Sequence, residues 1–258
     1  GDCVEGRFAK KQKVWYNKNN VNAGNAVVTI SGTGNYGGSS STGYTIEKVK
    51  AVLQFQNAEV AAKYGDSAFT NLLINKVTDG KISYISDNIG VASVNSTNGN
   101  VNIVSAGTAK ITVCAEEGTN YEAAEASFIL KVEKAENIIN AADINRNFSK
   151  KAQKVKLGVN VQDGAALSYS SNNKSVKVNG NGQITIAKKF VGRAVISISA
   201  GETSRYKAAF SQITITVKPS GVKISKASNS AKGKATVFWK KNANADGYLI
   251  QYSTDKKF

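Results

Sequence analysis

"SYISDNIGVASVNSTNGNVNIVSAGTAKITVCAEEGTNYEAAEASFILKVEK", residues 83–134, returns in altered form as "SYSSNNKSVKVNGNGQITIAKKFVGRAVISISAGETSRYKAAFSQITITVKP", residues 168–219. Similarity at a fixed period marks a repeated structural unit and is read before any local propensity. Tyr84 and Tyr169 lie 85 residues apart, as do Gly107 and Gly192, Tyr121 and Tyr206, and Val132 and Val217. Upstream, Leu72 aligns with Leu157, and "TDGKISY" aligns with "QDGAALSY" after a one-residue slip.

Inside each copy the apolar period is two, the period of a strand with one face buried. Ile111, Val113 and Ala115 share a face, with Thr112 and Cys114 on the other; the later copy sets Ile196, Ile198 and Ala200 against Ser197 and Ser199. The following strand repeats the pattern, with Phe128, Leu130 and Val132 matching Ile213, Ile215 and Val217, and with Lys131 and Thr216 pointing outward. Asp79-Gly80, Asn98-Gly99, Asp163-Gly164, Asn179-Gly180 and Asn181-Gly182 supply turn signals between short strands. Short strands in units of about 85 residues describe a β-sandwich better than a barrel or an α/β sheet. A unit of that size buries only about 60–65% of its unfolded surface, so both inward rows are needed for stability. Cys114 stands where the sister copy has serine, which predicts a half-exposed, unpaired thiol; nothing in the spacing pairs it with Cys3.

Outward from the repeat, one stretch offers a competing reading. "TISGTGNYGGSSSTGYTI", residues 29–46, sets Gly32, Gly34 and Gly37 at the G-x-G-x-x-G spacing, directly after an apolar run. A phosphate loop needs a helix N-terminus after its last glycine, but a Ser/Gly linker running into another strand follows here. Tyr36 lies 85 residues before Tyr121, so the stretch reads as the connection between the last two strands of a third copy. Tyr36, Tyr121 and Tyr206 are the candidate ligand-binding residues: a ring at this corner pins two strands, or stacks on a sugar.

Composition narrows the chemistry. The 258 residues include no His, no Met, one Pro and two Cys. The chain therefore lacks the usual general base near neutral pH and the commonest metal ligand. No zinc set, calcium loop, P-loop or G-x-S-x-G is present, so no catalytic residue, metal site or cofactor is expected. The formal charge of +16 is carried almost wholly by lysines, read as scattered in "KKQK", "SKKAQK", "AKKF" and "WKK". Nucleic-acid readers favour arginine and interleaved aromatics, so a nucleic-acid partner is not expected; the lysines are read as a solubilising surface, with weak attraction to an anionic wall polymer as the alternative. No apolar run reaches the length of a membrane span. The chain begins Gly1-Asp2-Cys3 and is read as a segment of a longer protein.

"AEVAAKYGDSAFTNLLINKVTDGKISYISDNIGVASVNSTNGNVNIVSAGTAKITV" resembles the group 2 bacterial immunoglobulin-like repeats of bacterial surface proteins, through "YGD-x-x-F", "S-x-x-x-x-V-A-x-V", "NGNV-x-I" and "AGTA-x-I-T-V". The resemblance implies an all-β fold of tandem immunoglobulin-like sandwiches, beads on a string, incomplete at both ends. Residues 1–48 would be the C-terminal part of one repeat, and residues 49–134 and 135–219 two complete ones. "GVKISKASNSAKGKATVFWKKNANADGYLIQYSTDKKF" resembles the first three strands of a fibronectin type III domain over residues 220–258, with Trp239 in its core and Tyr248, Ile250 and Tyr252 as an inward row.

The resemblance implies a non-catalytic stalk, spacer and adhesion-type module of a larger extracellular or cell-surface protein, expected as a monomeric array. The partners it implies are cell-wall polymer, or a host or matrix glycan or protein. The alternative is an accessory, carbohydrate-binding segment of a secreted carbohydrate-active enzyme.

Overall fold

The computed structural model describes residues 22–253, apart from residues 33, 34, 36 and 244 and the side chain of Ser230. The candidate Tyr36, together with Cys3, lies outside the described residues. The fold is all-β, a tandem array of immunoglobulin-like sandwiches, divided into compact units of residues 1–134 and 135–258.

The first unit opens with a hairpin of β1 (Gly24–Ser31) and β2 (Ser39–Ile46). Its turn is closed by the Gly32 N–H donating to the Gly38 carbonyl at 3.0 Å, and β2 begins where a phosphate-binding helix would have to. Ala26 faces Tyr44, whereas in the next repeat Ile111 faces Phe128. Shifted by 85 residues, the hairpin is therefore one residue out of register with that pair.

The sandwich that follows is built from β3 (Val52–Phe55), β4 (Glu59–Lys63), β5 (Leu73–Val77), β6 (Ile82–Ser86), β7 (Ala92–Val94), β8 (Val101–Ile103), β9 (Gly107–Ala115) and β10 (Ala124–Glu133). One sheet has the order β4-β10-β9-β6; across the core lie the pairs β3-β5 and β7-β8, with Phe69 bridged to Val101. The rows predicted to face inward do so. Ile111, Val113 and Leu130 are fully buried, Phe128 is 2% exposed, and Phe55 meets Phe128 edge-on at 4.9 Å.

The second unit repeats this plan with β11 (Asn140–Ala141), β12 (Ile144–Asn147), β13 (Gln153–Lys156), β14 (Val159–Asn160), β15 (Leu167–Ser171), β16 (Val176–Val178), β17 (Gln183–Ile186), β18 (Gly192–Ala200) and β19 (Ala209–Lys218). Its sheets are β12-β19-β18-β15 and β13-β17-β16, with β11 paired to β14. Ile196, Ile198, Ile213, Ile215 and Val217 fill the core positions that the 85-residue shift assigns them. In both repeats the first strand of the four-stranded sheet runs parallel to the last, with Val60 beside Leu130 and Ile144 beside Ile215.

Gly99 and Gly182 show why the repeat keeps glycine after its Asn turn. Each lies near φ 72, and a Cβ there would press on the ring of Tyr84 or Tyr169 at 2.8 Å and 3.2 Å. The rings of the recurring tyrosines pack on the turn, and burial pushes the Tyr84 phenol up from its ordinary value.

Two expectations fail. Leu72 is 60% exposed while Leu157 is 5% exposed, so the two do not hold equivalent places. The buried position in the first repeat belongs to Asn71, whose side chain accepts from the Asn57 N–H at 3.2 Å and donates to the Asn57 carbonyl at 2.8 Å. Those bonds tie Asn71 to the connection between β3 and β4, and the displacement is set earlier in the chain, where Phe69 already matches Val155 at 86 residues. The other failure is the third strand of residues 220–258. β20 (Ile224–Ala231) and β21 (Lys234–Trp239) pair, but residues 247–253 form no strand, and Ile250 and Tyr252 are 59% and 95% exposed. Among the described residues no second sheet covers this hairpin, and without one an inward row has nothing to face. Tyr248 alone turns in, edge-on to Trp239 at 5.4 Å.

Candidate functional site

Tyr121 and Tyr206 sit in the corner joining the last two strands of each repeat, half-buried in both cases. The backbone explains the position. Val49 bridges Tyr121 in parallel, donating to the Asn120 carbonyl at 2.9 Å and accepting from the Glu122 N–H at 2.9 Å. Ala135 does the same with Tyr206, bonding Arg205 and Lys207 at 2.9 Å each. The corner therefore grips the chain as it arrives at the repeat.

A second group of residues at this corner escaped the sequence reading. The Asp79 carboxylate accepts from the Asn120 backbone N–H at 2.9 Å and side-chain amide at 3.1 Å. In the second repeat Asp163 meets Arg205, the residue 85 beyond Asn120, at 3.2 Å. The only signal in the sequence was the recurrence of the Asp-Gly pair across the one-residue slip. Gly118 belongs to the same arrangement, since a Cβ on it would lie 1.7 Å from the Asp79 carboxylate. Its counterpart is Thr203, whose hydroxyl accepts from the N–H groups of Arg205 and Tyr206 at 3.2 and 3.0 Å. One repeat caps the corner amides with a carboxylate that requires glycine opposite; the other caps them with a threonine and pairs its aspartate to arginine.

Ion pairs add local detail. Lys48 bonds Glu117 at 2.6 Å and the Gly118 carbonyl at 2.8 Å, and Lys207 bonds Glu136 at 2.7 Å. These are exposed pairs, worth at most about 1 kcal/mol each. Cys114 is half-buried and unpaired, with its thiol 3.6 Å from the Glu125 carboxylate. Burial first, then the charge and hydrogen bond of Glu125, push this thiol up from its ordinary range, so it is a poor nucleophile. Among the described residues no group of three or more acidic, Cys or His side chains is placed to hold a metal ion. Among them, too, no helix is long and apolar enough to cross a membrane.

Residues 70–126 match the family model of the bacterial Ig-like domain (group 2). No curated protein matches the chain. Solved structures that it resembles include Drosophila N-cadherin EC1-4, 13% identical over 75% of this chain and 58% of that one, TM-score 0.28. Domains 4 and 5 of the S-layer protein SbsC are 16% identical over 67% of this chain and all (100%) of theirs, TM-score 0.28. A SusE-like, surface-located polysaccharide-binding protein of Bacteroides thetaiotaomicron is 15% identical over 65% of this chain and 34% of its own, TM-score 0.27.

Proposed function

We propose that the chain is a non-catalytic stalk of an extracellular, cell-surface protein, a spacer whose repeats carry tension and present their faces to neighbouring polymer. One observation carries the reading: in each sandwich an edge strand from near the start of the repeat runs parallel to the repeat's last strand. β4 and β10 pair over Glu59–Lys63, and β12 and β19 over Ile144–Asn147. Force applied at the two ends of a repeat slides such strands along each other, loading all their hydrogen bonds together. In this reading the Tyr121 and Tyr206 corners are joints that hold each arriving segment to its repeat, and residues 220–258 begin a domain of fibronectin type III kind.

Single-molecule pulling on the full chain tests it. Two discrete unfolding steps are expected, each releasing about 25 nm, from 85 residues at roughly 3.5 Å each less the folded length. Extension without two such steps would remove the spacer reading.

A further inference from the structure

The two sandwiches share a fold but differ in charge. Residues 49–134 hold seven basic and nine acidic side chains, net −2; residues 135–219 hold thirteen and four, net +9. The excess of the second repeat is gathered on one face. On the outer side of the β13-β17-β16 sheet, Lys154 and Lys177 both stand in register with Thr185, and Lys156 stands beside Gln183. Neighbouring strands lie about 4.8 Å apart, so Lys154 and Lys177 are about 10 Å apart, and Lys154 and Lys156 about 7 Å. The corresponding places in the first repeat, read from the register about Val101 and Ser93, are Ala68, Ser93 and Thr70, with Asn102 for Thr185.

One end of the same sheet carries more lysines, in two lengthened turns. Phe148 and Tyr64 are equivalent, each donating at 2.9 Å to the end of the last strand. Four residues, 149–152, separate Phe148 from Gln153, where two, 65–66, separate Tyr64 from Ser67. Ala187 and Val104 are likewise equivalent, and four residues, 188–191, against two, 105–106, separate them from Gly192 and Gly107. The additions bring Lys150-Lys151 and Lys188-Lys189. The two turns touch, since Lys189 donates its N–H to the Ser149 carbonyl at 2.8 Å. Lys174 joins the same end, where Ala187 bonds Ser175 at 2.8 Å. Lys189 holds this place at φ 62, a region that disfavours any residue with a side chain.

The acidic residues of the repeat lie elsewhere. Asp163 pairs with Arg205 and Glu136 with Lys207 at the opposite end, beside Glu202, and Asp143 accepts the Thr214 N–H on the other sheet. The outer strand face is thus cationic, with no arginine or aromatic side chain among Lys154, Lys156, Lys177, Gln183 and Thr185, and the rings at its end, Phe148 and Phe190, are half-buried, Phe190 against the core. Protein partners dock on aromatic and arginine anchors, and single-stranded nucleic acids on stacking rings. Lysines spaced in this way act as point charges on repeating anions, with binding driven by counterion release.

We propose that the outer β13-β17-β16 face and its lysine-bearing end bind a linear, base-free polyanion, a polyol-phosphate or acidic polysaccharide chain. The surface location in the spacer reading supplies the source of such a polymer, but the binding itself does not depend on it.

The test titrates the full chain into labelled poly(glycerol phosphate), chondroitin sulfate and oligo-dT. The patch variant is Lys150→Gln, Lys151→Gln, Lys188→Gln and Lys189→Asn; the charge-matched control is Lys63→Gln, Lys76→Gln, Lys81→Gln and Lys110→Gln. Six engaged lysines give a log K against log salt slope of about −4. The patch variant is expected to lose at least about tenfold in affinity at low salt and about 3 units of slope, the control less than about threefold. Tighter binding of either base-free polymer names its source. Equal losses in patch and control, tightest binding to oligo-dT, or no binding to either base-free polymer overturns the proposal. If pulling still gives two steps, the spacer reading stands without it.

Discussion

Replacing Phe128 by alanine should unfold one repeat and spare the other. Phe128 is 2% exposed, and its ring packs edge-on against Phe55 at 4.9 Å and 75°. Truncating a buried phenylalanine costs about 3–5 kcal/mol, of which the aromatic pair contributes about 0.5–1.5. A unit of 85 residues holds about 4–13 kcal/mol in total, so the loss is a large share of its stability. The cores of the two repeats have no residue in common. Calorimetry of the full chain should therefore show one transition lowered by on the order of 15–30 °C and the other unmoved. Hydrogen exchange with peptide resolution assigns them: the β9 and β10 amides should lose protection while those of β18 and β19 keep theirs. Loss of protection in both repeats together would refute the reasoning, as would an unmoved first repeat.

Other expectations concern the corner and the thiol. A Cβ on Gly80 would lie 1.8 Å from the Glu116 carbonyl oxygen, while one on Gly164 meets nothing within 4 Å at φ 61. Gly80→Ala should therefore cost about 3 kcal/mol and Gly164→Ala about 1, measured by denaturant unfolding. Gly118→Thr should destabilise the first repeat by about 1–3 kcal/mol by displacing the Asp79 carboxylate. Adding Asp79→Ala should restore part of the loss, because the new hydroxyl then caps the corner amides as Thr203 does; a double-mutant cycle reads this coupling. With Cys3 replaced by serine, Glu125→Gln should speed alkylation of Cys114 at about pH 8 several-fold. The carboxylate raises the thiol's proton affinity, so neutralising it lets more thiolate form at that pH.

The inward rows were legible because burial on one face of a strand imposes a period of two, and Ile111 and Ile196 report it without any knowledge of their partners. The glycine stretch was legible for a related reason, since its downstream residues continue as a strand. What the sequence hid depends on loops meeting in space. Asp79 and Asn120 are 41 residues apart, and only the folded corner shows that one caps the other. The lysines looked scattered because Lys150-Lys151 and Lys188-Lys189 are distant in the chain and meet in two touching turns at one end of the sheet. Leu72 misled because a single displaced residue puts Asn71 in the buried place, a polar side chain whose two bonds to Asn57 offset its burial. The strand expected at residues 247–253 presupposed a covering sheet, and strand propensity alone does not form one.

The parallel pairing of an early edge strand with the last strand underlies both the repeat and its use as a spacer. Nuclear Overhauser contacts in the full chain test it directly, between Val60 and Leu130 and between Ile144 and Ile215. The account predicts inter-strand contacts of parallel register at both sites; antiparallel contacts, or contacts at one site and not the other, would contradict it.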